Sequence, residues 1–238
     1  MHTKFSIPVV FSCALFCALT RGSLRAADIK TTVSADEAIR LLAAGNERFV
    51  AGKPERPNSG LDRVHSTAKN GQAPFAAVLS CADSRVPVET VFDRGVGDLF
   101  VVRVAGNVAD PGTLGSIEYA AEHLGTPVVV VLGHTQCGAV NAAMSGTELY
   151  GNLPSLIDAI RPAVRTARHE HPDSTSEELL AASIAQNVRQ QIDAAVIKSP
   201  QLRHMVLHGK LKIVGAVYKI ETGRVEWLDD TAPPPTKK

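Results

Sequence analysis

Two short apolar runs constrain this chain more than any other feature. Phe75-Ala76-Ala77-Val78-Leu79, bounded by Pro74 before it and polar residues after it, reads as a buried strand. Val128 to Leu132 reads the same way. Each run breaks off into a turn rich in ligand-type side chains. Cys81-Ala82-Asp83-Ser84-Arg85 follows the first, and Gly133-His134-Thr135-Gln136-Cys137-Gly138 follows the second. In a parallel α/β sheet both strand ends open on one edge, where ligands bind. Cys81 then meets His134 and Cys137. Two thiolates and an imidazole suit zinc, and three protein ligands leave a fourth position for water or substrate.

These two turns, Cys-x-Asp-Ser-Arg at 81–85 and His-x-x-Cys at 134–137, resemble the signature of the β-class carbonic anhydrases. The resemblance extends to Gly71-Gln72-x-Pro74, to Phe100-Val101-Val102-Arg103 running into Ala105-Gly106-Asn107, and to Ile117-Glu118-Tyr119-Ala120. It covers the chain from about Ser34 to Leu228. It implies reversible hydration of CO2 to bicarbonate by a zinc-bound hydroxide, with Zn2+ held by Cys81, His134 and Cys137. Asp83 orients that nucleophile if it stays ionised and off the metal, and Arg85, two residues on, is placed to hold it there. In a closed state Asp83 lets go of Arg85 and becomes a fourth ligand.

The resemblance further assigns a substrate hydrogen bond to Gln72, reaching in from a partner subunit, and so implies a homodimer or higher homo-oligomer. It gives the Gly138 N–H a similar polar role and puts Phe100 and Tyr119 in the wall of a CO2 pocket. Plain core packing accounts equally well for those two rings. Val104 and Ala139 stand where many relatives carry Asn and Gly. A second, inhibitory bicarbonate site found in some relatives needs Trp, Arg and Tyr; here Val78, Arg103 and Asp193 occupy those places. The expectation is an open site without that switch.

Three other readings compete. A carbonyl sulfide or carbon disulfide hydrolase would use the same zinc residues. A structural zinc module would use Asp83 as a permanent fourth ligand, which leaves Arg85 without a purpose. A Cys81–Cys137 disulfide leaves Asp83, Arg85 and His134 without one. Ser84 has no neighbouring base to activate it and reads as a turn residue. The remaining histidines lack ligand spacing; His169 and His171 are candidates only for carrying protons to bulk.

The first 26 residues form a separate unit. A basic head, Met1-His2-Thr3-Lys4, precedes an apolar stretch from Phe5 to Leu19 and a small-residue exit with cleavage expected after Ala26. This is the outline of a secretory signal, so the mature protein is expected to be exported, periplasmic or secreted, with no membrane anchor. Cys13 and Cys17 leave with the signal. So do Lys4, Arg21 and Arg25 of the 25 basic residues, leaving 22 against 24 acidic ones. That balance points to neither nucleic acid nor an anionic membrane. With 45% apolar and 5% aromatic residues, the rest suits an Ala- and Val-rich α/β domain. It divides into a linker at 27–33, a single zinc domain at 34–229 and a Pro-rich tail at 230–238.

Along that domain, Ser34 and Glu37 form a capping box that opens a helix ending before Pro54. Gly52 to Ala73 reads as loop with at most one helical turn. Short helices are expected at Val86–Phe92, Pro111–Leu124 and Gly138–Ser145, and a strand from Asp98 towards Asn107. Residues 150–198 read as helical, broken at Pro162, with Ser174 and Glu177 capping the long second piece. A short helix from Ser199-Pro200 to Gly209 follows. Leu211–Tyr218 and Arg224–Leu228 then form a β-hairpin at the sheet edge. Strands alternating with helices define an α/β fold with a mainly parallel central sheet flanked by helices. No glycine-rich phosphate loop is present.

Overall fold

The computed structural model describes residues 30–228. The expected signal segment, the start of the linker and the Pro-rich tail lie outside the described residues. In chain order the elements are α1 (Ala35–Val50), α2 (Leu61–Asn70), β1 (Ala76–Ser80), α3 (Val88–Val91), β2 (Leu99–Arg103), α4 (Pro111–Glu118) and β3 (Val128–His134). They continue with α5 (Gly138–Ser145), α6 (Leu153–Asp158), α7 (Arg161–Glu170), α8 (Ser176–Lys198), α9 (Pro200–Leu207), β4 (Lys212–Lys219) and β5 (Arg224–Trp227).

The five strands form one sheet in the order β2-β1-β3-β4-β5. β1, β2, β3 and β4 pair in parallel, and β5 closes the edge antiparallel to β4. Every residue of β1 and β3 is buried, because helices cover both faces. Ala77, Leu79, Val129 and Val131 point to one face and pack with Ile117, Val140, Val164, Ile184 and Val188. Ala76, Val78, Val128, Val130 and Leu132 point to the other and meet Ile39 and Leu42 of α1 with Val88 and Val91 of α3. Each buried Val, Leu or Ile contributes roughly 1.5–3 kcal/mol relative to exposure. The α/β class and the C-terminal hairpin expected from the sequence are therefore the observed architecture.

Four local expectations need correction. The Ser34 box is half formed: Ser34 Oγ accepts the Glu37 N–H at 3.3 Å, but the Glu37 carboxylate turns to Arg40 at 2.6 Å instead of back to the cap. The long helix α8 is capped one residue later than expected. Thr175 and Glu178 bond each other reciprocally, while Ser174 Oγ donates to the His171 carbonyl at 2.8 Å and closes the preceding turn. The 52–73 stretch contains the ten-residue helix α2, whose short apolar stripe of Leu61, Val64 and Ala68 stays exposed, so that none of its residues is buried. Finally, α4 does not run unchanged to Leu124. It widens by one residue per turn over Tyr119–His123, with the Leu124 N–H reaching the Tyr119 carbonyl at 3.3 Å, before Gly125 (φ 70°) ends it.

Pro162 breaks the helical stretch as expected, sitting in the first turn of α7, where its missing N–H costs nothing. Among the described residues, no helix is long and apolar enough to cross a membrane.

Candidate metal centre

Strand register brings the two ligand turns together. Ser80 of β1 lies opposite Leu132 of β3, so Cys81 and His134 leave adjacent parallel strands on the same edge. The chain then turns through Gln136, whose φ of 55° is left-handed, and delivers Cys137 at the N-cap of α5. The ligand atoms of Cys81, His134 and Cys137 all lie within 4.8 Å of one another, and all three residues are buried.

The histidine is set for ligation. Its Nδ1 lies 2.8 Å from the Thr135 carbonyl, which can only accept, so the proton sits on Nδ1 and Nε2 offers its lone pair. Nε2 is buried and has no hydrogen-bond partner. An orphaned buried acceptor costs about 1–3 kcal/mol. One aimed at two sulfurs fits a bound metal, and this donor set fits zinc.

The sulfurs are already electron-rich. Cys81 Sγ accepts the Gly106 N–H at 3.3 Å. Its thiol is lowered to about 4, chiefly by a hydrogen bond from Cys137, against burial, with help from the Gly106 and Asp83 backbone. Cys137 moves up, because the neighbouring Cys81 thiolate and burial both hold its proton. The pair thus shares one proton in the absence of a cation. A dication in the same place would displace it and hold both thiolates.

Beside the cluster, Asp83 is held by three donors of Arg85. Its Oδ1 accepts the Arg85 backbone N–H at 2.9 Å and Nε at 3.0 Å, and its Oδ2 accepts Nη2 at 2.8 Å. The Arg85 hydrogen bond keeps this carboxyl well below the usual carboxylate range, against partial burial. Asp83 Oδ2 stands 3.8 Å from His134 Nε2, too far for a hydrogen bond. Arg85 Nη2 also donates to the Gln136 carbonyl at 3.3 Å and so ties the two turns together.

Arg103 is a brace that sequence reasoning missed. From the end of β2 its Nε donates to the Cys81 carbonyl at 3.1 Å and its Nη2 to the Asp83 carbonyl at 2.6 Å. The signal would have been register, since Arg103 pairs with Ser80 across the parallel strands. From α8, Asn187 Nδ2 donates to the Gly106 carbonyl at 2.9 Å, and Gln191 Oε1 accepts the Ala109 N–H at 2.9 Å. These two buried amides fix the loop whose N–H faces Cys81.

The other predicted residues are placed as follows. Phe100 on β2 and Tyr119 after α4 pack with ring centroids 6.2 Å apart, Phe100 half-buried and Tyr119 48% exposed. Gly138 opens α5, and a Cβ there would meet nothing within 4 Å. Gln72 is exposed and precedes the N-terminal end of β1, so a whole strand separates it from Cys81 and it does not join its own chain's cluster. Val78 faces the α1 side of the sheet, whereas Asp193 is exposed on α8, which packs the opposite face. With Arg103 committed to the Cys81 turn, Val78, Arg103 and Asp193 do not form a common site.

The sequence model of the carbonic anhydrase family matches residues 76–225. A Mycobacterium tuberculosis protein named carbonic anhydrase 2 is 40% identical over 194 residues, spanning 80% of this chain and 91% of that one. The solved β-carbonic anhydrase CcaA superposes with a TM-score of 0.66 at 27% identity, over 82% of this chain and 97% of that one. The chain belongs to the β-carbonic anhydrase family. As a member of it, the protein is an enzyme of the carbonic anhydrase class. A carbonic anhydrase of Mycolicibacterium smegmatis is 39% identical over 79% of this chain and 90% of its own length. One of two tetrameric β-carbonic anhydrases from Sordaria macrospora gives a TM-score of 0.61 at 26% identity, covering 78% of this chain and 94% of its own.

Proposed function

We propose that this β-carbonic anhydrase hydrates CO2 reversibly to bicarbonate and a proton, with zinc held by Cys81, His134 and Cys137. One observation carries the reading: a bare, buried His134 Nε2 converges with two sulfurs while Arg85 keeps the adjacent carboxylate occupied. Zinc bound there supplies a Lewis-acidic centre that makes water nucleophilic near neutral pH, as in the unrelated three-histidine carbonic anhydrases.

The chain's own residues do the rest. Asp83, kept ionised by Arg85, accepts the O–H of the nucleophile and turns a lone pair towards the substrate carbon. Arg85 also holds Asp83 back from the fourth position on the metal. Phe100 and Tyr119 offer CO2 an apolar wall. The Gly138 N–H, at the first turn of α5 where no helical acceptor exists, is available to a substrate oxygen. Gln72 supplies its hydrogen bond from a second copy of the chain, in a homo-oligomer of the kind the tetrameric Sordaria enzymes form. The basic head and apolar run at the start of the sequence support export; N-terminal sequencing of the mature protein tests that point.

Stopped-flow CO2 hydration on metal-quantified protein, with Asp83→Ala alongside, tests the mechanism. The zinc-loaded wild type should be active, and the variant, folded and still zinc-loaded, should fall by about 10- to 100-fold. A wild type no faster than buffer would defeat the reading, and sulfide release from carbonyl sulfide would then identify the rival hydrolase. An Asp83→Ala variant that unfolds instead of slowing would point to a structural zinc module.

A further inference from the structure

The turn carrying His134 and Cys137 is gripped by a side chain that neither metal ligation nor the Asp83–Arg85 pair uses. Glu221 lies in the turn between β4 and β5, and each of its carboxylate oxygens accepts one hydrogen bond from the ligand turn. Oε2 accepts from Thr135 Oγ1 at 2.8 Å and Oε1 from Gln136 Nε2 at 2.8 Å. The Thr135 hydroxyl in turn accepts the Ile220 N–H at 3.0 Å, and the Thr135 N–H donates to the Tyr218 carbonyl at 3.0 Å. The hairpin therefore holds both central residues of the turn, one through backbone and side chain, the other through its side-chain amide.

The carbonyls of those two residues point at the site. Thr135 C=O accepts the His134 Nδ1 proton and so sets the plane and tautomer of the ring. Gln136 C=O accepts from Arg85, the residue that holds Asp83. Gln136 also sits at φ 55°, a left-handed conformation that a non-glycine residue keeps only where its surroundings hold it. A two-oxygen acceptor that binds neighbouring side chains of one strained turn is suited to that task.

We propose that Glu221 is a positioning residue of the metal site. By holding Thr135 and Gln136 together it keeps His134 Nε2 aimed at the two sulfurs and keeps the Gln136 carbonyl on Arg85. The inference rests on the zinc reading above. Glu226 provides the comparison, because it sits on β5 of the same hairpin and pairs with Lys219 at 3.0 Å without bonding the ligand turn. A role limited to steadying the hairpin would make the two glutamates alike.

The test loads wild type, Glu221→Ala, Glu221→Gln and Glu226→Ala with one zinc per chain and follows metal release to a chromogenic chelator. Cobalt-substituted samples are compared by visible absorption, and CO2 hydration is measured in parallel. Glu221→Ala should release zinc about tenfold faster and show an altered cobalt spectrum. Glu221→Gln should fall between it and wild type, because one amide oxygen still accepts from Thr135 while its NH2 faces that of Gln136. Glu226→Ala should match wild type. Unchanged release and spectrum in Glu221→Ala, or the same change in Glu226→Ala, would overturn the proposal. Chelator release needs no turnover, so the two readings fail separately. Faster release from a protein inactive towards CO2 sinks only the proposed function, and normal release from an active one sinks only the role of Glu221.

Discussion

Replacing Gly106 by alanine probes the support behind Cys81 through two costs that can be separated. Gly106 sits at φ 70°, and an alanine there pays the left-handed penalty of about 1–2 kcal/mol. Its new Cβ would also stand 2.4 Å from Ile160 Cδ1, in a residue with no exposed surface, and 3.2 Å from the Ala139 Cβ. Overpacking of that kind costs about 1–3 kcal/mol. The expected loss is therefore roughly 2–5 kcal/mol, a fall in Tm of about 5–15 °C for a chain of this size. Ile160→Val removes the offending methyl and alone should cost about 1 kcal/mol. Combined with Gly106→Ala it should leave little beyond the backbone penalty, so the two changes should couple favourably by about 1–3 kcal/mol.

Urea denaturation of the four zinc-loaded proteins closes the cycle. Gly106→Ala should in addition bind zinc more weakly, because its N–H is the donor on Cys81 Sγ and its carbonyl is held by Asn187. A loss under about 1 kcal/mol for Gly106→Ala, or strictly additive effects, would show that the loop relaxes freely and does not support the sulfur.

Arg85→Ala removes both side-chain donors from Asp83 and leaves one backbone N–H, so CO2 hydration should drop by about tenfold or more with zinc content unchanged; metal analysis beside stopped-flow rates checks both halves. Asp93 supplies a pH test away from the metal. Burial pushes its carboxyl up, but Arg48 and the N–H groups of Glu55 and Arg56 outweigh that and leave it lowered. Its stabilisation is therefore present above the unfolded carboxylate value near 3.9 and lost as pH falls through the lower folded value. Asp93→Asn should lower Tm clearly at pH 7 and progressively less below about pH 4 in a Tm-against-pH series. Stripping zinc in an oxidising buffer should let Cys81 and Cys137 pair, since their sulfurs lie within 4.8 Å. Thiol titration of the unfolded protein lacking residues 1–26 should then find none where the loaded protein gives two, from Cys81 and Cys137.

What could be read from the sequence was whatever chemistry is local. The continuous apolar runs mark β1 and β3 because both faces of each strand are covered, and the soft ligands follow directly at their ends. The bounds of α5 are set by the ligand turn before it and by Gly146 (φ 66°) after it. Where several local solutions exist, the pattern is ambiguous. Ser174 and Thr175 each have an acid three residues on, and only tertiary placement selects Thr175. The helix α2 carries only a short apolar stripe, Leu61, Val64 and Ala68, and buries none of it, so the polar, Pro- and Gly-bearing stretch around it outweighs the signal. The supports of the site are less legible still, because they depend on register. Arg103 reaches the Cys81 carbonyl across 22 positions and Glu221 reaches Thr135 across 86, and neither carries a motif.

The same distinction explains how the site divides between ordering its ligands and closing over substrate. Ordering comes from within one chain: Arg85, Arg103, the β4–β5 hairpin and Gly106, itself held by Asn187, act on the two turns. Closure does not. An apolar pocket for CO2 works by excluding water, yet Tyr119 is 48% exposed here and Gln72 lies beyond the far end of β1. β2, which carries Phe100, is an edge strand of the sheet, its outer side unpaired among the described residues. On the reading proposed above, a second copy covers that wall and brings Gln72 with it. Metal affinity should then follow mutations within the chain, and substrate affinity should follow mutations that weaken assembly, because the two properties rest on different contacts.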